Sequence, residues 1–411
     1  MKILCCSDIH MGRIPTVPYI DDLFSHTAWY ALVEKALELD VDVLVLAGDV
    51  VEQEEHWFEA YGPLLTGLEK LGKAKIKVIA VGGNHDYSVF PSLARESSHI
   101  TLLGLGGKWE SLDYKGVRFI GWSFPERRVQ YNPMDSFDLS LADTELPMLG
   151  LLHCDVGASP LSSYAPVPLN DFSLSSVPLW VLGHIHKGAA LKGGNAFYCG
   201  SPYALDRNEE GPHGPWLLEK EAKGPWKEPV MIPLSPYRFE TVSVCLEAAT
   251  DEEDVRAILT QSLRKVAASI AFSGTLLCSL VLTGVIRRTL DIRTTLTPEG
   301  LQDLFIREGE TVIHPLGAYT DATEMDVDLS KLAQGSSATA LLAKKLLDSS
   351  AMKAMGEQYR RIERESFGSP AFQQLGGSQI SRTEQEYVSL ATQAARRLLF
   401  SMINGEQGGR Q

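Results

Sequence analysis

Nine residues able to hold a metal ion or move a proton stand directly behind short apolar runs. They are Asp8 and His10 in CCSDIH, Asp49 in LVLAGDV, Asn84, His85 and Asp86 in VIAVGGNHDY, His153 in GLLHCD, and His184 and His186 in VLGHIH. Buried strands read as such runs, and in an open α/β sheet ligands bind in the crevice beyond the strands' carboxyl ends. One Asp at such a place is usually a helix cap, and one His a hydrogen-bonded structural residue. Five strand ends that all offer Asp, Asn or His make a donor set instead. Carboxylate, amide and imidazole without thiolate suit Mn²⁺, Fe²⁺ or Zn²⁺ better than a Cys-rich structural zinc site. Asp8, His10, Asp49, Asn84, His153, His184 and His186 are too many for one ion with open positions. Two divalent ions about 3.5–4 Å apart, sharing Asp49, can use them all. Such a pair brings about four positive charges, which offset the repulsion of a phosphate by the local carboxylates.

Strands and helices alternate ahead of these residues. Strands are predicted at Lys2 to Cys6, Val41 to Ala47 and Ile76 to Val81, with helices around Thr27 to Leu39 and Trp57 to Leu71, which is the pattern of βαβ units and a largely parallel sheet. From about residue 100 the texture changes to short strands with Gly, Pro and Asn turns: Thr101 to Leu103, a hairpin from Trp109 to Trp122 around Lys115-Gly116, Met148 to His153, Leu179 to Gly183, and Ala196 to Cys199. These predict a second sheet packed on the first, with helices on the outer faces. The long connection from Asp155 to Pro178 is expected to form one wall of the site. A strand from Phe239 to Leu246, helices from Asp251 to Val266 and Pro298 to Arg307, and a strand from Thr275 to Ile286 read as a small capping unit. Thr311 to Asp328 reads as irregular, and helices follow near Ser337 to Leu347, Ala351 to Ser366 and Arg382 to Met402. The expected division is thus 1–238, 239–315 and 316–411.

The 411 residues carry 38 Lys+Arg against 52 Asp+Glu, a net charge of −14, so a polyanionic substrate must be drawn in by bound cations, a local basic strip or a partner. The six cysteines show no paired C-x-x-C spacing and read as reduced thiols. The amino terminus has too few apolar residues for a signal peptide, and the uncharged run from Val266 to Ile286 is rich in Ser, Thr and Gly and reads as a helix end and a core strand. A cytoplasmic protein without a membrane span is expected.

In order, the motifs D-x-H, G-D, G-N-H-D, a lone His and G-H-x-H resemble the calcineurin-like metallophosphoesterase superfamily over residues 1–205. The resemblance implies a two-sheet α/β/β/α sandwich. It assigns Asp8, His10 and His186 to one metal, Asn84, His153 and His184 to the other, and Asp49 to both. His85 would be a non-ligand that contacts the phosphate or protonates the leaving oxygen, Asp86 would orient it, and Gly82-Gly83 would permit close approach. Ser/Thr phosphatases of the superfamily carry a phosphate-clamping Arg after the second motif. Here GDVVEQE puts Glu52 and Gln53 there, which favours a diesterase.

MKILCCSDIHMGR, LGHIHKG and YCGSPYALD, followed by a β-α-β-α cap and terminal helices, are similar to SbcD-type DNA repair nucleases. That resemblance implies an Mn²⁺-dependent DNA exo/endonuclease subunit whose carboxyl-terminal helices dock on an SMC-like ATPase of the SbcC type, with a homodimer as its assembly. RNEEGPHGPW, after YCGSPYALD, departs from the usual pattern. Arg13, Arg127, Arg128, Lys187 and Arg207 are candidates to meet DNA phosphates. His26, His56, His99, His213 and His314 are read as structural. A phosphodiesterase for nucleotides or other small diesters, and a scaffold that only retains metals, are the alternatives.

Overall fold

The computed structural model describes residues 1–20, 23–157, 162–193, 195–221, 224–287, 290–367 and 382–408. The chain divides into two compact units, Met1–Glu240 with Ser273–Leu277, and Thr241–Phe272 with Cys278–Gln411.

The first unit is a sandwich of two six-stranded sheets. In the first sheet, β1 (Lys2–Cys6), β2 (Val43–Ala47), β3 (Lys77–Val81) and β4 (Ile100–Leu102) run parallel, and Trp216–Glu219 and Val230–Met231 extend it antiparallel beyond β1. In the second, β6 (Val117–Trp122), β7 (Met148–His153), Trp180–Gly183 and Ala196–Tyr198 run parallel, with β5 (Glu110–Tyr114) antiparallel at one edge. β2 is fully buried along its whole length, which is why VLVLA carries no polar alternation. Its odd residues Val43, Val45 and Ala47 join Ile3, Cys5, Ile79, Phe119, Leu149, Leu151 and Val181 between the sheets. Its even residues Leu44 and Leu46 face outward with Leu4 and Cys6 against α1 (Thr27–Glu38) and α2 (Trp57–Lys73). In α1, Trp29, Leu32, Val33 and Ala36 follow the i, i+3, i+4, i+7 rule that lays one face on a sheet. The outer face of the second sheet carries Ile120, Trp122, Leu152, Trp180 and Leu182 and is covered by short elements that include the helix Leu169–Leu174. The α/β/β/α layering is as expected.

Register places the chemistry. Cys6 pairs with Leu46 and Ala47 with Val81, so the loops after β1, β2 and β3 leave the first sheet at one level. Gly183 pairs with His153, so both loops of the second sheet also leave together.

The second unit holds the larger parts of strands Tyr237–Cys245 and Gly274–Thr283, which with Thr311–Asp321 and Ile306–Glu308 form a four-stranded sheet, a helix Glu252–Ser269, and carboxyl-terminal helices Ala338–Leu347, Ser349–Phe367 and Glu384–Gly408. Two local expectations are corrected. Thr311 to Asp328 is not irregular: Thr311–Asp321 is an eleven-residue strand whose burial alternates at Thr311, Ile313, Pro315 and Gly317. Period-two patterning was hidden there by Pro315 and Gly317, residues usually kept out of strand interiors. The helix predicted from Pro298 to Arg307 ends at Gln302, and Ile306–Glu308 is a strand. In the last helix an apolar stripe of Tyr387, Leu390, Ala391, Ala394, Leu398 and Met402 is expected from the spacing; Tyr387 and Ala391 are buried, but the ridge continues through Ala395 and Leu399, and Leu398 is 55% exposed. Among the described residues no helix is long and apolar enough to cross a membrane.

Candidate metal centre

Asp8, His10, Asp49 and His184 all have positive φ, of 52°, 51°, 50° and 100°. Side chains rarely adopt this conformation outside functional sites, because it costs of order 1–3 kcal/mol each. Here it turns the chain sharply at the strand end, and backbone bonds hold the turns. Asp8 N donates to Gly48 O at 3.0 Å and His10 N to Asp49 O at 3.0 Å. His184 N donates to Asp8 Oδ1 at 3.1 Å, tying the two sheets' loops together.

The side chains converge in three overlapping groups, one of which, His10, Glu52 and His85, lies on the His85 side. Asp8, His10 and His186 can reach one ion, and Asp8, Asp49 and His153 another. Asp49 Oδ2 is 3.1 Å from His153 Nε2 and 3.9 Å from His10 Nε2, between the two groups. Asn84 Oδ1 is 3.1 Å from His153 Nε2. The His184 ring lies beside His153 with centroids 5.4 Å apart, and Tyr164 lies on its other side at 4.9 Å.

Hydrogen-bond chemistry decides whether these groups fit divalent cations. His153 Nδ1 faces the Ala47 carbonyl at 2.9 Å, and a carbonyl only accepts, so Nδ1 carries the proton. The Nε2 lone pair of the neutral ring is then aimed at two further acceptors, Asp49 Oδ2 and Asn84 Oδ1. On the other side His186 Nδ1 donates to Glu209 Oε1 at 2.7 Å, leaving its Nε2 lone pair 3.2 Å from His10 Nε2. His10 Nδ1 has Glu52 Oε2 at 2.6 Å, but the two are not aligned as a hydrogen bond, and both are buried polar atoms without an aligned partner. Acceptors meeting acceptors at about 3 Å, around two fully buried carboxylates, need positive charge between them. The donor set therefore fits two divalent ions.

Without an ion, protons take that part. Burial pulls the His153 ring down, but the neighbouring Asp49 carboxylate outweighs it and lifts the ring to about 9. Burial likewise works to raise Asp49, yet the charges and hydrogen bond of His153, with His10 and His85, hold it far below the carboxylate range. His184 falls to about 4, by burial first and by the charge on His153 second.

The structure rearranges the expected roles around His85. Asp86 does not orient it: Asp86 Oδ1 accepts from Gly83 N at 2.7 Å, and Oδ2 from Val50 N at 2.7 Å and Val51 N at 3.4 Å. Asp86 ties the GGNHD loop to the GDVV loop, and burial followed by the charge of Asp49 pushes it up to about 7. The group against His85 Nδ1 is Glu52, whose carbonyl lies at 3.0 Å and whose Oε1 lies at 3.5 Å. Of the two glycines only Gly83 is sterically required, since a Cβ there would meet Asp49 Oδ1 at 2.2 Å.

Glu52 and Glu209 were missed as site residues by the sequence reasoning. The signal was the rule that a ligating imidazole hands its other N–H to a carboxylate or carbonyl. His186 called for an acid, which RNEEGPHGPW supplied in Glu209, while GDVVEQE placed Glu52 beside His10 and His85. Of the candidate phosphate contacts, Arg127, Arg128 and Arg207 lie on the exposed surface. Arg13 is half-buried, its N–H bonded to His10 O at 2.9 Å. Lys187 lines a cavity of about 330 Å³ with Trp216, Arg238 and Glu240.

Residues 1–188 match the family model described as calcineurin-like phosphoesterase. The similarity to that family is thus carried by residues 1–188, less than half of the chain. The chain is 25% identical over 213 residues to the uncharacterized metallophosphoesterase YhaO of Bacillus subtilis, covering 46% of this chain and 47% of that protein. It is 29% identical over 80 residues to the DNA double-strand break repair protein Mre11 of Nanoarchaeum equitans, covering 20% of this chain and 22% of that protein. The matched region thus spans less than half the length of these curated relatives. A dimetal phosphatase from Danio rerio aligns with a TM-score of 0.36 and 16% identity, covering 57% of this chain and 99% of that one.

Proposed function

We propose that the metallophosphoesterase domain is a two-metal phosphodiesterase acting on DNA, as an exo/endonuclease subunit, with Mn²⁺ as the working ion. The carrying observation is Asp49 Oδ2 lying between His153 Nε2 and His10 Nε2, at 3.1 and 3.9 Å, where one carboxylate serves both ions. Asp8, His10 and His186 would hold the first ion, Asn84, His153 and His184 the second, and Asp49 both. When bound, the ions supply positive charge against the phosphate oxygens and acidify water there to a pKa of about 7. His85 hands a proton to the leaving oxygen, its Nδ1 turned to Glu52 so that Nε2 is the edge left for the substrate. Asp86 keeps the His85 loop in place.

DNA is supported by the start MKILCCSDIHMGR, by YCGSPYALD after LGHIHKG, and by the short similarity to the repair protein of N. equitans. Arg13, Arg127, Lys187 and Arg207 would meet the phosphates. The carboxyl-terminal helices would dock on an SMC-like ATPase, for which Leu341, Ile362 and Leu398, each more than half exposed, offer apolar contact. A homodimer in the cytoplasm goes with that reading. The net charge of −14 favours a second reading, a diesterase for nucleotides or other small esters that need no basic track.

The test is hydrolysis of plasmid and oligonucleotide DNA beside a chromogenic diester, with Mn²⁺ or EDTA, by the wild type and His85→Ala. DNA cleavage that requires Mn²⁺ and is lost in His85→Ala is expected. Turnover of the small diester alone transfers the assignment to the second reading. No turnover on either, even with an SMC-like ATPase supplied, removes the enzyme and leaves a metal-retaining scaffold.

A further inference from the structure

His186 is the ligand candidate held least by the sheets. It lies two residues beyond His184 on the loop leaving Trp180–Gly183, and its side chain is 24% exposed, whereas those of His10 and His153 are at most 1% exposed. Its ring orientation is set from outside the loop. Glu209 Oε1 accepts from His186 Nδ1 at 2.7 Å, and Glu209 Oε2 accepts from Leu205 N at 2.8 Å and from Ser201 Oγ at 3.3 Å. The Glu209 backbone is fixed as well: its N–H donates to Asp206 O at 3.1 Å, and its carbonyl lies 3.1 Å from the Nε2 of the buried His213. His213 in turn is held by Ser201, its Nδ1 lying 3.0 Å from the carbonyl. Residues 201–213 therefore form a buttress with one carboxylate oxygen aimed at one imidazole nitrogen. That segment lies beyond the matched 1–188.

The geometry points to Glu209 as the positioning residue of the His10–His186 half of the centre: it fixes the His186 tautomer with the proton on Nδ1 and the Nε2 lone pair toward the ion. This rests on the two-ion part of the function proposed above, and not on the substrate. A carboxylate that orients a ligating imidazole and raises its basicity typically changes metal affinity by about 10–100-fold. Because Glu209 makes no contact with Asn84 or His153, its removal weakens one ion and spares the other. Glu209→Gln keeps an oxygen acceptor without the charge and falls between the wild type and Glu209→Ala.

Mn²⁺ titration of the full chain, followed by the EPR signal of free Mn²⁺ and by calorimetry, tests this without turnover. The wild type is expected to take up two ions, and Glu209→Ala to keep one at wild-type affinity while the other weakens about 10–100-fold. In the metal-free protein at alkaline pH, where the ring is neutral, ¹⁵N imidazole correlations, assigned with His186→Asn, should show Nδ1–H alone in the wild type and mixed tautomers in Glu209→Ala. Two ions bound by Glu209→Ala as tightly as by the wild type would overturn the inference. So would equal weakening of both ions with a lowered melting temperature, which marks a merely structural residue. A wild type that binds no pair of ions refutes both this and the proposed function. The selective loss in a protein that cleaves no ester upholds Glu209's role and refutes only the activity.

Discussion

Replacing Gly83 with Ala tests the claim that Asp49 sits where it does because nothing stands beside it. A Cβ on Gly83 would lie 2.2 Å from Asp49 Oδ1, 2.8 Å from its Cγ and 2.7 Å from its backbone N. Ordinary contact starts near 3.4 Å, so the overlap with Oδ1 exceeds 1 Å. Asp49 cannot simply withdraw. Its Oδ1 accepts from His85 N at 2.9 Å, its Oδ2 lies against His153, and its backbone carbonyl accepts from His10 N. Relief must come from moving the loop after β2 or the one after β3, and either displaces a group placed between both ions. Overpacking of this kind costs about 1–3 kcal/mol of stability. A shift of about 1 Å in a catalytic group costs about 100-fold in rate. Gly82→Ala is the internal control, because a Cβ there meets nothing closer than 3.7 Å and Gly82 has no left-handed φ. That change should stabilise by about 0.4–1 kcal/mol through the unfolded chain. Urea denaturation, Mn²⁺ counting and hydrolysis on both variants decide the matter. Gly83→Ala behaving like Gly82→Ala in all three would refute the crowding argument and the placement of Asp49 with it.

Asp86→Asn should cost stability first, about 1.5–3 kcal/mol, because a carboxylate that accepts from backbone N–H groups on both sides is replaced by an amide with only one oxygen. A variant that loses turnover with an unchanged denaturation midpoint would instead make Asp86 a proton carrier. Trp29→Ala removes a fully buried indole whose Nε1 donates to Pro63 O at 2.9 Å, between α1 and α2. A loss of about 3–5 kcal/mol in chemical denaturation is expected, and a loss under about 1 kcal/mol would contradict the packing of α1 on α2. A thiol reagent should modify Cys245 alone in the native chain and all six cysteines in denaturant, since the other five are buried. Two or more fast-reacting thiols in the native protein would contradict the packing of Cys5, Cys6, Cys154, Cys199 and Cys278.

The sandwich was legible because both sheets are buried on two faces, and LCC, VLVLA and VIAV read as strands covered on both sides. Register made the site legible as well. Once strand ends are aligned, whatever follows them meets, and Asp8, Asp49 and Asn84 follow three neighbouring strands. Hidden from the sequence were the residues that act through backbone or across distant segments. Asp86 looked like a partner for its neighbour His85, yet its oxygens face backbone N–H groups of another loop, and N–H groups leave no trace in composition. Glu209 is 23 residues from His186 in sequence and touches it only because residues 201–213 fold back. Thr311–Asp321 was lost for a third reason: the pairing with Ile306–Glu308 covers only Thr311 to Ile313, and Pro315 and Gly317 stand beyond it in a strand where local propensity speaks against them.

The two halves of the centre are built to different standards of rigidity, and the difference has a physical source. His153 ends β7 inside the sandwich, is wholly buried, and is locked by the Ala47 carbonyl at the end of β2, so both of its supports are sheet. His186 stands on a loop, remains partly exposed, and depends on a carboxylate delivered by a connection. Sheet ends move only when the sandwich opens, whereas a connection can open locally at lower cost. On the two-ion reading, an ion at Asn84 and His153 would rest on the scaffold alone, whereas one at Asp8, His10 and His186 would depend in addition on residues 201–213, through the hydrogen bond of Glu209 to His186. Affinity for the second ion is thus the property of this centre that changes outside the strand-end motifs can tune. Glu209 is where such a change acts most directly.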